Sequence, residues 1–324
     1  CPFCNFCMIG FAMSDAIANP NSQNICSGQS TSINLSGNVL GTNFNWTINQ
    51  TDVVGANPGS GNSINQILNS NSTNFGIADY TITPTANNCI GNPINVRINI
   101  TPKPVIVATP NQQIICSGDT IIPINLSSNI TGTTYNWSVI QTNANGATNG
   151  SGSSITQTLT NNNSIQGEVL YNINSILNSC PGNSTTALVK VNPRPTVTSN
   201  SINQSICSNE NTNIILSSNL SATTFSWLVT QNNVIGALPG SGNNINQTLV
   251  NNNLIPGLAT YNVTPVDSGC IGLSLSIPVI VKPIPQLTNI SNPSICSNQT
   301  TNIPLTSTVS GSTFSWTSIS YGPT

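Results

Sequence analysis

Asn43-Phe44-Asn45-Trp46-Thr47-Ile48-Asn49 alternates large apolar and polar side chains one for one. A period of two places successive side chains on opposite faces of a strand. Phe44, Trp46 and Ile48 therefore share a face that must be covered, and the Asn and Thr residues face water. The same pattern returns at Tyr135-Asn136-Trp137, Phe225-Ser226-Trp227 and Phe314-Ser315-Trp316, so the four tryptophans stand 91, 90 and 89 residues apart. An aromatic pair on one face of a strand reads as a core anchor rather than a ligand platform. Trp46, Trp137, Trp227 and Trp316 are thus expected to fill the centres of four like units.

Other markers keep the step. Cys26, Cys116, Cys207 and Cys296 are separated by 90, 91 and 89 residues, and Tyr80, Tyr171 and Tyr261 recur in phase with Cys89, Cys180 and Cys270. Such periodicity is the signature of a repeat architecture. Within each unit the alternation continues, as Ile33/Leu35 before the Trp and as Ile94, Val96, Ile98 and Ile100 near the end of the first unit. No helical period competes with it. Each unit is therefore expected to be an all-β sandwich of about 90 residues. Proline pairs (Pro102 and Pro104, Pro193 and Pro195, Pro283 and Pro285) fix φ and make short stiff connectors. The expected order is a leader over 1–20, whole units over 21–102, 103–193 and 194–283, and an incomplete one over 284–324, strung as an extended rod. The counterpart of Cys89 in the last unit would fall near position 359, so the chain reads as a fragment or as a unit completed by another subunit.

The surface chemistry is unusual. Of 324 residues only 5 are Lys or Arg and 7 are Asp or Glu, giving 4% charged side chains and a net charge of −2. Ordinary domains carry about 25%. Asn alone supplies 54 residues, so neutral polar groups have replaced the charge. The longest apolar stretch, Phe6 to Met13, is far short of the roughly 18 residues of a membrane span. With no His and no basic patch, the chain has little with which to bind a nucleic-acid backbone.

No catalytic residue, metal ligand or cofactor site is expected. The Gly55–Gly61, Gly146–Gly152 and Gly236–Gly242 segments each end in Gly-Ser-Gly but lack the Lys and following helix of a phosphate loop, and read as turns. The acids are scattered, with no pair in a repeated position. Pairing Cys26 with Cys89, Cys116 with Cys180 and Cys207 with Cys270 would give one disulfide per unit and an extracytoplasmic setting. Cys1, Cys4 and Cys7 precede Ala16-Ile17-Ala18, which fits a cleaved signal remnant or disordered leader; an added disulfide or a metal site are the alternatives.

The ordered set Ile-Cys-Ser-Gly/Asn (25–28, 115–118, 206–209, 295–298), Phe/Tyr-x-Trp, Ile-x-Gln-x-Leu (64–68, 155–159, 245–249), Cys-x-Gly (89–91, 180–182, 270–272) and Pro-x-Pro resembles the PKD-like repeats of large Bacteroidetes surface proteins, gliding-motility adhesins among them. The resemblance implies Ig-like sandwiches serving as spacers or adhesive units at the cell surface, with other copies of the chain or surface glycans as partners. A filament subunit, or carbohydrate-binding accessory domains with Phe75 or Tyr321 as contacts, are the other readings. The first Cys precedes the Ile-x-Leu strand and the second follows the Tyr by nine residues, unlike the disulfide near the core Trp of immunoglobulins. The bond is therefore expected to pin one end of each sandwich.

All five cations (Arg97, Lys103, Lys190, Arg194 and Lys282) lie in final strands or connectors, and three directly precede proline. The native chain should resist trypsin. Gel analysis during digestion should show intact chain outlasting ordinary domains, and rapid appearance of 90-residue pieces would contradict this.

Overall fold

The computed structural model describes residues 14–288 and 291–320, and every regular element among them is a β-strand. The chain divides into two compact units, Cys1–Asn161 with Gln166–Val191 and Asn162–Ile165 with Asn192–Thr324. The first holds nearly all of two sandwiches and the second holds a third followed by the C-terminal segment. Cys1, Cys4 and Cys7 lie outside the described residues.

Each sandwich has the same two sheets. In the first, Ala16–Asn19, Ile33–Gly37 and Ser63–Ile64 form a three-stranded antiparallel sheet. Facing it is a sheet in the order Ser22–Cys26, Ile94–Thr101, Gly76–Ala86, Asn43–Thr51, Gly59–Ser60. The edge strand Ser22–Cys26 runs parallel to its neighbour and the other pairings are antiparallel. Between Asn19 and Ser22 the chain crosses from one sheet to the other. The second sandwich repeats this with Ile106–Thr109 and Gln112–Cys116, and the third with Thr198–Ser199 and Gln204–Cys207. Ala16–Asn19 falls in the stretch read as leader and cleavage site. It is instead a strand in register with Gly37 to Asn34, because the three-stranded sheet needs it as an edge.

The alternation becomes the core. In Gly76–Ala86 every second side chain is buried, and Tyr80 and Ile82 pack with Ile33, Ile64, Leu68, Val96, Ile98 and Ile100 in one apolar cluster. Trp46, Trp137 and Trp227 are 7%, 8% and 6% exposed. The glycine turns explain how. A Cβ on Gly59, Gly150 or Gly240 would sit 2.7, 2.6 or 2.8 Å from the indole Cζ2 of Trp46, Trp137 or Trp227. Only glycine lets the turn lie flat on the ring. Each indole Nε1 donates to a carbonyl eleven residues on, those of Asn57, Thr148 and Leu238.

Trp316 departs from expectation. It is 78% exposed, and Ile303 and Phe314 are exposed with it. The glycine that covers each other indole, Gly59, Gly150 or Gly240, lies thirteen residues later in sequence than its Trp, and no glycine among the described residues takes that place on Trp316. Among the described residues after Lys282, pairing is limited to the antiparallel bridge Leu287↔Ser307 and its flanking hydrogen bonds, so no second sheet packs on Trp316.

The Gln of Ile-x-Gln-x-Leu locks each core. The Tyr80 hydroxyl donates to Gln66 Oε1 (2.8 Å), which also accepts from the Asn57 N–H, while Gln66 Nε2 donates to the Asn57 carbonyl. Gln157 and Gln247 do the same for Tyr171 and Tyr261. Burial lifts the three tyrosine hydroxyls from 10.0 to about 12. A raised folded-state pKa means that the native chain holds protons the unfolded chain has lost, so this contribution is complete below pH ~10 and disappears as pH rises through ~12. In an alkaline titration, tyrosinate absorbance of these three residues should rise together with loss of the tryptophan signal between about pH 10 and 12. Ionisation of all tyrosines near pH 10 with the fold intact would contradict it.

Candidate functional site: the junction between repeats

The four-residue motif Ile-Cys-Ser-Gly/Asn is a turn with a fixed backbone requirement. Its last position has φ of 90° at Gly28, 89° at Gly118, 72° at Asn209 and 68° at Asn298, the left-handed region that Gly and Asn tolerate. The cysteine N–H donates to the side chain three residues on, Gln29, Asp119, Glu210 or Gln299. Two of the scattered acids are thus turn acceptors. The motif serine holds the turn to the body: Ser27, Ser117 and Ser208 hydroxyls accept from the N–H of Ser70, Asn161 and Asn251. The cysteine is thereby fixed at the exit end of its sandwich, with Cys26 opposite Thr101 and Cys207 opposite Lys282.

The second cysteine lies at the other end. Cys89 is paired with Ala86, the last residue of Gly76–Ala86, whereas Gly76 at the start of that strand pairs with Ile100, beside Thr101 and Cys26. Ten residues of strand at about 3.3 Å each separate the two ends by roughly 30 Å, and a disulfide needs Cα atoms within about 7 Å. No bond can close within a sandwich. The observed bond joins Cys26 to Cys180, 154 residues away in the next repeat, with Cα atoms 5.4 Å apart. The expected pairings of Cys26 with Cys89, Cys116 with Cys180 and Cys207 with Cys270 are therefore replaced. Cys89, Cys116 and Cys270 are also disulfide-bonded, while Cys207 and Cys296 are exposed free thiols. The staple does not pin one sandwich; it ties the exit end of the first to the entry end of the second.

The Cys-x-Gly motif completes the joint. A Cβ on Gly182 would collide with the ring and carbonyl of Pro104, and one on Gly272 with the carbonyl of Pro195. On Gly91 it would collide with the carbonyl of Ser14. Each glycine admits the incoming connector against the hairpin. The Asn183 N–H then donates to the Pro104 carbonyl (2.9 Å), and Arg194 Nη1 to the Ile271 carbonyl (2.6 Å). The connector prolines therefore seat in the next repeat rather than acting as free spacers.

Other charges are structural. Arg97 makes a two-pronged pair with Asp79 directly across the sheet (2.8 and 2.9 Å), which holds the Asp79 carboxyl below its usual range. Lys190 lies 3.9 Å from Glu168, its cross-strand partner. Among the described residues no three His, Cys, Asp or Glu side chains gather to hold a metal ion, and no helix is long and apolar enough to cross a membrane. Phe75 is half-exposed, and Tyr321 lies outside the described residues.

The PKD-like domain profile matches residues 23–104, 113–195 and 204–285, which is most of the chain. The chain belongs to the PKD-like domain family. No match was found among curated proteins. Among solved structures, the Dpr2 Ig1–Ig2 complex with DIP-Theta Ig1–Ig3 is similar at 11% identity and a TM-score of 0.35, covering 84% of this chain and 100% of that one. Chicken CNTN1 FN1–FN3 is similar at 11% identity and a TM-score of 0.28, covering 79% and 95%. Sidekick-1 immunoglobulin domains 1–5 give 11% and 0.32, covering 85% and 60%.

The Gly182→Ala chain should lose about 1–3 kcal/mol of stability through overpacking against Pro104. Denaturant unfolding followed by fluorescence checks this. Non-reducing peptide mapping of the native chain should recover Cys26 linked to Cys180, and a Cys26–Cys89 peptide would contradict the bond.

Proposed function

We propose that the chain is a non-catalytic, extracellular structural or adhesive repeat region of a large bacterial surface protein, of the gliding-adhesin kind its repeats resemble. The observation that carries this reading is the Cys26–Cys180 bond between successive PKD-like sandwiches. A bond within a domain stabilises that domain, but a bond across a junction resists separation and reorientation of neighbours, which serves a chain under load. Disulfides persist in oxidising, extracytoplasmic settings. The faces of Asn, Ser and Thr suit such a place, since their contacts depend little on salt or pH. Other copies or surface glycans are the partners in this reading, and no reaction is assigned to any residue.

One observation favours a filament subunit as the second reading. Ile303, Leu305 and Trp316 line an open cavity of about 570 Å³ that a strand from another subunit would fill. Electron micrographs of the native material would then show a regular axial repeat.

Single-molecule pulling tests the load-bearing reading. With the bond intact, the residues between Cys26 and Cys180 cannot pay out, so the oxidised chain, which also keeps the bonds at Cys89, Cys116 and Cys270, should reach a contour length shorter than the reduced one by at least about 50 nm, at ~3.5 Å per residue. Equal lengths and equal unfolding forces in both states would remove the basis for it.

A further inference from the structure

At the first junction, Cys26 is bonded to the hairpin cysteine Cys180, and Leu177 beside it is buried. That hairpin lies next to the loop Ser128 to Thr133, where a Cβ on Gly132 would be 3.8 Å from Leu177 Cδ1. The loop is held by Thr133 Oγ1, which donates to Ser128 Oγ and to the Ile130 carbonyl, and by the Ile130 N–H, which donates to Ser128 Oγ.

The same loop is already built after the third sandwich. Ser312 Oγ donates to Ser307 Oγ and to the Val309 carbonyl, and the Val309 N–H donates to Ser307 Oγ. Gly311, at φ of 78°, stands where Gly132 has 82°. Between this loop and the exit end of the third sandwich is a cavity of about 470 Å³, lined by Cys207, Leu254, Ile255, Pro283, Val309 and Gly311. Cys207 occupies in its turn the place of Cys26, and its thiol is free and exposed. Every part of the first junction is present except the hairpin.

We propose that this cavity is the seat of the Cys-x-Gly hairpin of a completed fourth repeat, and that Cys207 bonds covalently to that hairpin's cysteine. The occupant is fixed by the first junction: an apolar residue three positions before the cysteine fills the cavity, and the glycine two positions after it receives the connector. Bond formation is thiol–disulfide exchange. The Cys207 thiolate attacks the hairpin cysteine held as a mixed disulfide with glutathione, the sulfur–sulfur bond to glutathione breaks, and glutathione leaves as a thiolate that takes up a proton. Cys296 is the built-in control, because it has the same turn and an equally free thiol but does not line this cavity.

Two experiments test this. In the first, residues 146–195 are appended after Thr324, completing the fourth repeat and placing a cysteine near position 359 with a leucine three positions before it; the chain is refolded with oxidised and reduced glutathione and mapped by mass spectrometry. A bond from Cys207 to the added cysteine in a monomer is expected, with the added thiol left free in the Cys207→Ser chain. A bond from the added cysteine to Cys296, a free Cys207 in the refolded monomer, or a bond to a second copy overturns the proposal. The second experiment does not require the added segment to fold. The 324-residue chain is mixed with a peptide of residues 176–183 carried as its glutathione mixed disulfide. Cys207 should react roughly tenfold faster than Cys296, as a pre-formed seat raises effective concentration, and a shuffled peptide should lose the preference. Equal rates at the two thiols overturn it.

Discussion

The length of one strand governs the covalent plan of this protein. Gly76–Ala86 and its counterparts Gly167–Leu177 and Gly257–Asp267 each run eleven residues, and the two cysteines of a repeat are held at their opposite ends. A rigid, fully paired strand in the middle of a sheet cannot fold back to bring those ends together. The cysteines can therefore be satisfied only by a neighbour. The turn at the exit end, the glycine at the entry hairpin and the seated connector prolines all serve that outcome.

The core that keeps the strand straight is built from few chemical ideas. A tyrosine buried to its ring accepts a glutamine as its hydroxyl's partner, the glutamine in turn satisfies the loop that carries the tryptophan's acceptor, and a glycine lies on the indole face. No charge is needed for any of this. A surface of amides and hydroxyls can then complete the sheets' outer faces without long-range fields. Where charges occur in pairs, they sit across adjacent strands, as in Arg97 with Asp79, and strengthen a registry already set.

The architecture was legible because strand alternation and a 90-residue step are both one-dimensional signals. Phe44, Trp46 and Ile48 share a strand for the same reason in sequence as in space. The disulfide pairing was not legible, because equal sequence spacing (63 residues from Cys26 to Cys89) says nothing of which end of a sheet each residue occupies. Counting strand residues between Gly76 and Ala86 would have exposed the problem. The Gly/Asn alternation at positions 28, 118, 209 and 298 carried its own signal, since those two residue types share the left-handed backbone. The glutamine of Ile-x-Gln-x-Leu gave none beyond recurrence: a polar residue in an apolar motif reveals its purpose only when the tyrosine hydroxyl is seen beside it. Trp316 misled because its local sequence is that of a core residue, whereas burial depends on residues far along the chain.

The placement of the two cysteines also bears on how such chains could grow. A 90-residue block cut at equivalent points brings one half of a joint at each end, like a link with a hook and an eye. Duplicating or deleting a block in the gene leaves every remaining hook facing an eye, with no need to match a particular partner. A design with bonds confined to each domain would give the same freedom in number but no lock between neighbours. One with bonds between chosen, dissimilar domains would give the lock but forbid changes in number. The across-junction bond permits both, so the reach of the protein can be altered by recombination between repeats without redesigning any joint.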